Sequence, residues 1–195
     1  MATRIGIISD THIPSSIPEL WPEVEIVFKD VDIILHGGDL ITTGVIDWLE
    51  RIAPTYAAEG NHDYGLSEVD ERIRPKWFFK FEGFSLGLVH IIDGWGSRTA
   101  TDLVKTYLGL TPDGKLPDIV VCGDSHFEFV RKEDGMLIIN GGSATYPHNQ
   151  ESRLGHVVIL DIEQGKEPEA RIVDLKDYSI DGTDGRNRYP RGRIR

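Results

Sequence analysis

Six short apolar runs in this chain each stop at a polar tip that carries aspartate, asparagine or histidine, most of them with glycine. Ile5-Gly6-Ile7-Ile8 runs into Ser9-Asp10-Thr11-His12, and Ile33-Ile34-Leu35 into His36-Gly37-Gly38-Asp39. Tyr56-Ala57-Ala58 precedes Gly60-Asn61-His62-Asp63, and Leu86-Gly87-Leu88-Val89 precedes His90. Ile119-Val120-Val121-Cys122 leads to Gly123-Asp124-Ser125-His126, and Leu137-Ile138-Ile139 to Asn140-Gly141-Gly142-Ser143. Short apolar runs bounded by glycine read as strands buried on both faces. In open α/β sheets, ligands bind off the carboxyl ends of such strands. The six tips therefore read as one site, not as six separate loops.

The segments between the runs give the rest of the architecture. Apolar spacing predicts a helix over 20–29 with Pro22 in its first turn. A second helix is expected from a Thr42 or Thr43 cap to Ala53, stopped by Pro54. A short polar helix is expected near 67–74. After Pro75 come two hairpins, 77–81 with 84–90 around Glu82-Gly83, and 127–131 with 136–139 around Asp134-Gly135. A helix over 98–108 leads to the strand before Gly123, and strands over 157–162 and 170–175 finish the fold. A βαβα start followed by a strand-rich remainder predicts an α/β fold, a four-layer α/β/β/α sandwich of two mixed sheets flanked by helices.

The 195 residues suit one domain, expected over 1–177. Residues 178–195 carry five arginines against Asp181 and Asp184 and are rich in glycine, so an arginine-rich mobile tail is expected there. The net charge of −11 argues against broad binding to nucleic acid. No run approaches the ~20 apolar residues of a spanning helix, and the N-terminus enters a strand without a cleavage site. A soluble cytoplasmic protein is the resulting expectation. The single cysteine, Cys122, cannot form an internal disulfide and sits in an apolar run, so it reads as core.

Asp10-Thr-His12 and Asp124-Ser-His126 share an acid-x-His spacing. In an extended segment residues i and i+2 point the same way, so each pair is expected to offer two ligands to one site. In order, Asp10, His12, Asp39, Asn61, His90, Asp124 and His126 form an oxygen and nitrogen donor set. It suits Mn²⁺, Fe, Zn²⁺ or Ni²⁺ and is less purely oxygen than Mg²⁺ or Ca²⁺ usually takes.

The order D-x-H, G-D, G-N-H-D, H and G-x-x-H resembles the calcineurin-like metallophosphoesterase superfamily over roughly residues 4–175. The short chain and Asn140-Gly-Gly-Ser143 look most like its small prokaryotic phosphodiesterase branch. The resemblance implies a phosphoesterase, more specifically a phosphodiesterase, with two divalent metal ions, Mn²⁺ foremost and Fe, Zn²⁺ or Ni²⁺ as alternatives. It implies one ion held by Asp10, His12, Asp39 and His126, and a second held by Asp39, Asn61, His90 and Asp124. A hydroxide bridging the pair is the implied nucleophile. His62 matches the catalytic histidine, which faces substrate together with Asn61. Two positions depart from the pattern. Asp124 stands where Gly-His-x-His has its first histidine, and Ile91 follows His90 where glycine is usual. Many small relatives carry cysteine at the place of His62.

Arg153 is a further candidate for binding the substrate phosphate. His36 reads as a hydrogen-bonding neighbour of the ligands, His148 and His156 as structural or surface residues, and Trp21, Trp48 and Trp77 as core. Trp95 is a candidate for lining the cleft. The expected partner is a small phosphate ester. A homo-oligomer stays open, as do two rival readings: a binding module on the same fold, which the presence of His62 disfavours, and a nuclease, which the acidic body disfavours.

Overall fold

The computed structural model of the chain describes residues 2–189. In chain order, β1 (Ala2–Ile8), α1 (Pro22–Phe28), β2 (Ile33–His36), α2 (Gly44–Leu49), β3 (Thr55–Ala58), α3 (Leu66–Val69) and β4 (Ile73–Arg74) form the first half. Then come β5 (Lys76–Phe81), β6 (Phe84–Val89), α4 (Ala100–Tyr107), β7 (Ile119–Cys122), β8 (Glu128–Glu133), β9 (Met136–Gly141), β10 (His156–Glu163) and β11 (Glu169–Asp174). One sheet has the order β11-β10-β1-β2-β3-β4 and the other β5-β6-β7-β9-β8. β1 to β4 pair in parallel, as do β6, β7 and β9, while β5, β8, β10 and β11 pair antiparallel.

The two sheets pack face to face. Ile5, Ile7, Leu35, Val158 and Leu160 of the first meet Leu86, Leu88, Ile119, Val121 and Ile139 of the second. The outer face of the first sheet, with Ile8, Ile34 and Ala57, is covered by Val24, Phe28, Val45, Ile46 and Leu49 from α1 and α2. The outer face of the second, with Val120 and Ile138, is covered by Leu103 and Val104 of α4. The result is the expected four layers. It also explains why the parallel strands read as unbroken apolar runs: both faces are covered, and each fully buried Leu or Ile contributes roughly 1.5–3 kcal/mol.

Local differences have local causes. α2 stops at Leu49, short of Ala53, and Thr43 already has helical φ and ψ, so its hydroxyl makes no cap hydrogen bond. The polar helix expected near 67–74 is only Leu66–Val69, because Ile73 is buried beside Ala57 as an added parallel strand. Trp21 is buried, but Trp48 and Trp77 are only half-buried; the Trp77 indole N–H donates to the Ala57 carbonyl at 2.9 Å. Cys122 is buried, and burial pushes its thiol up to about 12.

The expected tail is described as far as Tyr189, and residues 190–195 lie outside the described residues. Over the described part, the Ile180 N–H donates to Glu23 at 3.0 Å and Arg188 pairs with the same buried carboxylate at 2.7 Å. The Asp184 carbonyl accepts from the Leu154 N–H at 2.8 Å, and Tyr189 stacks on Trp21.

Candidate metal centre

The polar tips follow β1, β2 and β3 of one sheet and β6, β7 and β9 of the other, at the carboxyl ends of parallel strands. Register keeps the tips level: Ile8 pairs with His36, His36 with Ala57, and Leu88 with Val121. Main-chain bonds then lace them together. Asp10 N–H donates to the Gly38 carbonyl at 3.0 Å, His12 N–H to that of Asp39 at 2.9 Å, and Gly123 N–H to that of His90 at 2.9 Å. The Asp124 N–H crosses between sheets to the Asp10 carboxylate at 3.1 Å.

The acid-x-His pairs are not extended, which corrects the backbone expected for them. Asp10, His12, Asp39, Asp124 and His126 all have positive φ, between 46° and 68°. Such conformations are costly for residues with a Cβ and persist only where the surroundings impose them. Here the cross-bonds between tips impose them, and the turned backbone aims both members of each pair inward. Gly60 sits between the tips for a steric reason. A Cβ there would collide with the Asp39 carboxylate and main-chain nitrogen.

The seven donors lie together. The buried Asp39 carboxylate faces two ways: Oδ2 is 3.4 Å from His12 Nε2, and Oδ1 is 3.4 Å from His90 Nε2. On the His12 side, His126 Nε2 lies 3.1 Å from His12 Nε2 and 3.6 Å from Asp10 Oδ1. On the other side, His90 Nε2 lies 3.0 Å from Asn61 Oδ1 and 3.8 Å from Asp124 Oδ1. Asp10, His12 and His126 can close around one cation, and Asp10, Asp39 and His90 form a second such group. Asn61 and Asp124 are the exposed donors of the seven, the Asp124 side chain being 42 % exposed.

The donor chemistry fits cations. His90 Nδ1–H donates to the Gly37 carbonyl at 2.7 Å, and His126 Nδ1–H to that of Tyr146 at 2.8 Å. A carbonyl can only accept, so in each neutral ring Nε2 is the lone-pair nitrogen, and it points inward. His90 Nε2 then faces the oxygens of Asn61 and Asp39. Acceptor facing acceptor is unfavourable until a cation lies between them. The charge balance of the metal-free site agrees. Burial pushes the His90 imidazole down, but Asp39 and the charge of Asp10 hold it up to about 9. Burial pushes the Asp10 carboxyl up to about 7, against the pull of His90. Burial also works to raise Asp39, yet His90 and His62 hold it well below the usual carboxylate range. His12 is lowered to about 4, mainly by burial, and His126 is lowered by burial as well.

His62 sits at the mouth, its side chain 48 % exposed, with Nδ1 2.7 Å from Asp39 Oδ2 and its main-chain N–H on Oδ1 at 2.9 Å. His36 lies behind the donors, fully buried, within 3.2 Å of Thr11 Oγ1 and accepting from the Gly38 N–H; burial lowers it to about 3, so it stays neutral. Arg153 is not among the residues that line the cavity above the donors, and among the described residues its guanidinium reaches the Gln150 side chain at 3.5 Å. Trp95 packs with Arg131 and Phe129 on the outer side of the second sheet. The cavity above the donors, about 1600 Å³, is walled instead by Tyr146, Asn149, Arg186 and Tyr189, besides His12, Asp39, His62 and Asp124.

Two supports carry almost no mark in the sequence. The buried Asp63 carboxylate accepts main-chain N–H groups from Asp39, Leu40, Ile41 and Gly60 at 2.7–3.0 Å. Its only signal is its place at the end of Gly60-Asn61-His62-Asp63. Ser143 and Thr145 donate to the carbonyls of Asp10 and Thr11, each at 2.7 Å, fixing the first tip from behind.

The model of the calcineurin-like phosphoesterase superfamily domain matches residues 3–165. The "Probable metallophosphoesterase" of Methanothermobacter thermautotrophicus is 34 % identical over 171 residues, covering 87 % of this chain and 91 % of that protein. A phosphodiesterase of Methanocaldococcus jannaschii is 30 % identical over 150 residues, covering 71 % of this chain and 82 % of that one. Vacuolar Protein Sorting 29 from Cryptosporidium parvum shares the fold with a TM-score of 0.68 at 16 % identity, over 89 % of this chain and 97 % of its own. A structure described as a novel archaeal phosphodiesterase shares it with a TM-score of 0.62 at 23 % identity, over 88 % and 100 %. Among the described residues no helix is long and apolar enough to cross a membrane.

Proposed function

The chain belongs to the calcineurin-like phosphoesterase superfamily, and from that premise we propose that it hydrolyses phosphodiesters in the cytoplasm at a dinuclear divalent-cation centre. The observation that carries this reading is the two-way Asp39 carboxylate, with one oxygen toward His12 and the other toward His90 at equal distances of 3.4 Å. A carboxylate placed so is suited to bridge two ions. Asp10, His12 and His126 would complete one set, and Asn61, His90 and Asp124 the other. When bound, the pair of ions, Mn²⁺ foremost, supplies the hydroxide nucleophile and neutralises charge on the phosphoryl oxygens.

The remaining roles belong to the chain. Asp10, Asp39 and Asp124 carry three negative charges against four positive ones, so the loaded centre still attracts an anionic ester. His62 is held by Asp39 at Nδ1, which leaves Nε2 to meet the departing alkoxide and give it a proton. The Asn61 amide, beside His62 Nδ1 at 3.1 Å, orients the phosphoryl group. The cavity of about 1600 Å³ has room for both arms of a diester, which supports a diester over a monoester.

Hydrolysis of bis-p-nitrophenyl phosphate tests the reading. Turnover should require Mn²⁺ or a similar ion, vanish with a chelator, and be lost in Asp39→Asn. A chain that binds its metal yet cleaves no ester would instead be a binding module on this fold.

A further inference from the structure

Away from the centre, Glu128 opens β8, His156 opens β10, and His148 lies in the 3-10 turn Pro147–Asn149. Glu128 Oε2 is 2.9 Å from His148 Nε2 and 3.2 Å from His156 Nδ1. Both rings thus aim at one oxygen instead of sharing the two. For His148 the contact is a hydrogen bond. For His156 it is not: Nδ1 is buried and has no hydrogen-bond partner among the described residues. Buried polar atoms are rarely left so, and one that is calls for an explanation. The three donor atoms lie within 4.8 Å of one another, and none belongs to the centre described above. Two stacking contacts set the ring of His148, from Phe127 at 4.8 Å and His156 at 5.7 Å.

We propose that Glu128, His148 and His156 form a separate, mononuclear site for a zinc-class divalent cation. Two imidazole nitrogens and one carboxylate oxygen are a donor set that Zn²⁺ takes readily, with solvent completing the tetrahedron. An ion among the three donors satisfies His156 Nδ1 and replaces the crowding at Glu128 Oε2 by coordination. The site has a structural task. The His148 N–H donates to the His126 carbonyl at 3.0 Å, and the His126 ring is oriented by the Tyr146 carbonyl at 2.8 Å. A cation on His148 therefore fastens the 146–149 turn that sets the angle of His126.

The inference does not depend on the proposed catalysis, and its test reads metal directly. The full chain is dialysed to equilibrium against Zn²⁺ and its zinc counted by elemental analysis. The comparison is made for the wild type, Asp39→Asn, and each of these with His156→Gln added. His156→Gln should remove one zinc equivalent in both backgrounds. His148→Gln, on an outer turn, should remove the same equivalent and serves as the readout if His156→Gln does not fold. Loading Asp39→Asn with Co²⁺ should give visible ligand-field absorption that His148→Gln diminishes. Equal zinc content with and without these histidines, or no zinc retained by Asp39→Asn, overturns the proposal and leaves the triad as a proton-shared hydrogen-bond cluster.

Discussion

The Asp63 carboxylate accepts the main-chain N–H of Asp39 at 3.0 Å, although 24 residues separate them in the chain. The same group accepts from Gly60 at 2.7 Å, so one buried anion joins the tip after β2 to the tip after β3. Replacing it leaves four main-chain donors without their acceptor. Hydrogen bonds to a charged group each contribute about 1.5–3 kcal/mol, and buried donors left alone add to the loss. Asp63→Ala should lower the unfolding free energy of the metal-free chain by roughly 4 kcal/mol, read from urea unfolding. A change under about 1 kcal/mol would show that the loops hold their shape without it.

Gly60→Ala tests the steric side of the same junction. The added methyl meets the Asp39 carboxylate and its main-chain nitrogen, so one of the two tips must move. Overpacking of this kind costs typically about 1–3 kcal/mol. The displaced Asp39 should also weaken metal binding. The expected outcome is a lower melting temperature and a smaller upward shift on adding Mn²⁺ than the wild type shows. An unchanged Mn²⁺-induced shift would mean that Asp39 is not a ligand.

His62→Ala separates proton transfer from metal binding. With general-acid help removed, kcat on bis-p-nitrophenyl phosphate should fall about 10²–10⁴-fold. Elemental analysis should find nearly the same metal content, because the other donors stay in place. The loss should shrink for esters with better leaving groups, which need less protonation. Loss of bound metal in this variant would make His62 a ligand instead.

The metal-free chain should lose stability as pH rises from 7 to 9. His90 is held up to about 9, above its ordinary 6.5, so its contribution is full below 6.5 and disappears as pH passes through 9. Asp10, raised from 3.8 to about 7, acts with the same sign, but its contribution is lost mainly between those two values, so the fall above pH 7 comes from His90. Each tenfold change in proton affinity is worth about 1.36 kcal/mol, so the fall over this window should be about 2 kcal/mol. Denaturation in excess chelator measures it. With Mn²⁺ present the trend should reverse, since deprotonated ligands bind better. A flat chelator profile would contradict the charge placement around His90.

The layers were legible because burial on both faces leaves an unambiguous mark, the unbroken apolar run. The grouping of the seven donors was legible because parallel strands put their carboxyl ends at one edge. The left-handed backbone of Asp10, His12, Asp39, Asp124 and His126 was not, because neither Asp nor His demands that conformation as glycine does. It comes from bonds between tips distant in the chain. Arg153 is close in sequence to the 143–149 loop, but side-chain direction depends on the finished fold. Arg186 lines the cavity because Arg188 and Ile180 fasten the last described residues to Glu23 of α1. No periodicity announces a contact across 157 residues.

The donors of the centre come from both sheets. His126 joins Asp10 and His12, and His90 joins Asp10 and Asp39. During synthesis, then, a ribosome that has released only the first 75 residues has made neither of these clusters whole. Such a partial chain already carries His12, Asp39 and His62, whose donor atoms group together, but it lacks the His90, Asp124 and His126 of the full set. On the proposed reading, full occupancy of both sets follows the emergence and docking of the later strands, which would tie completion of the centre to completion of folding.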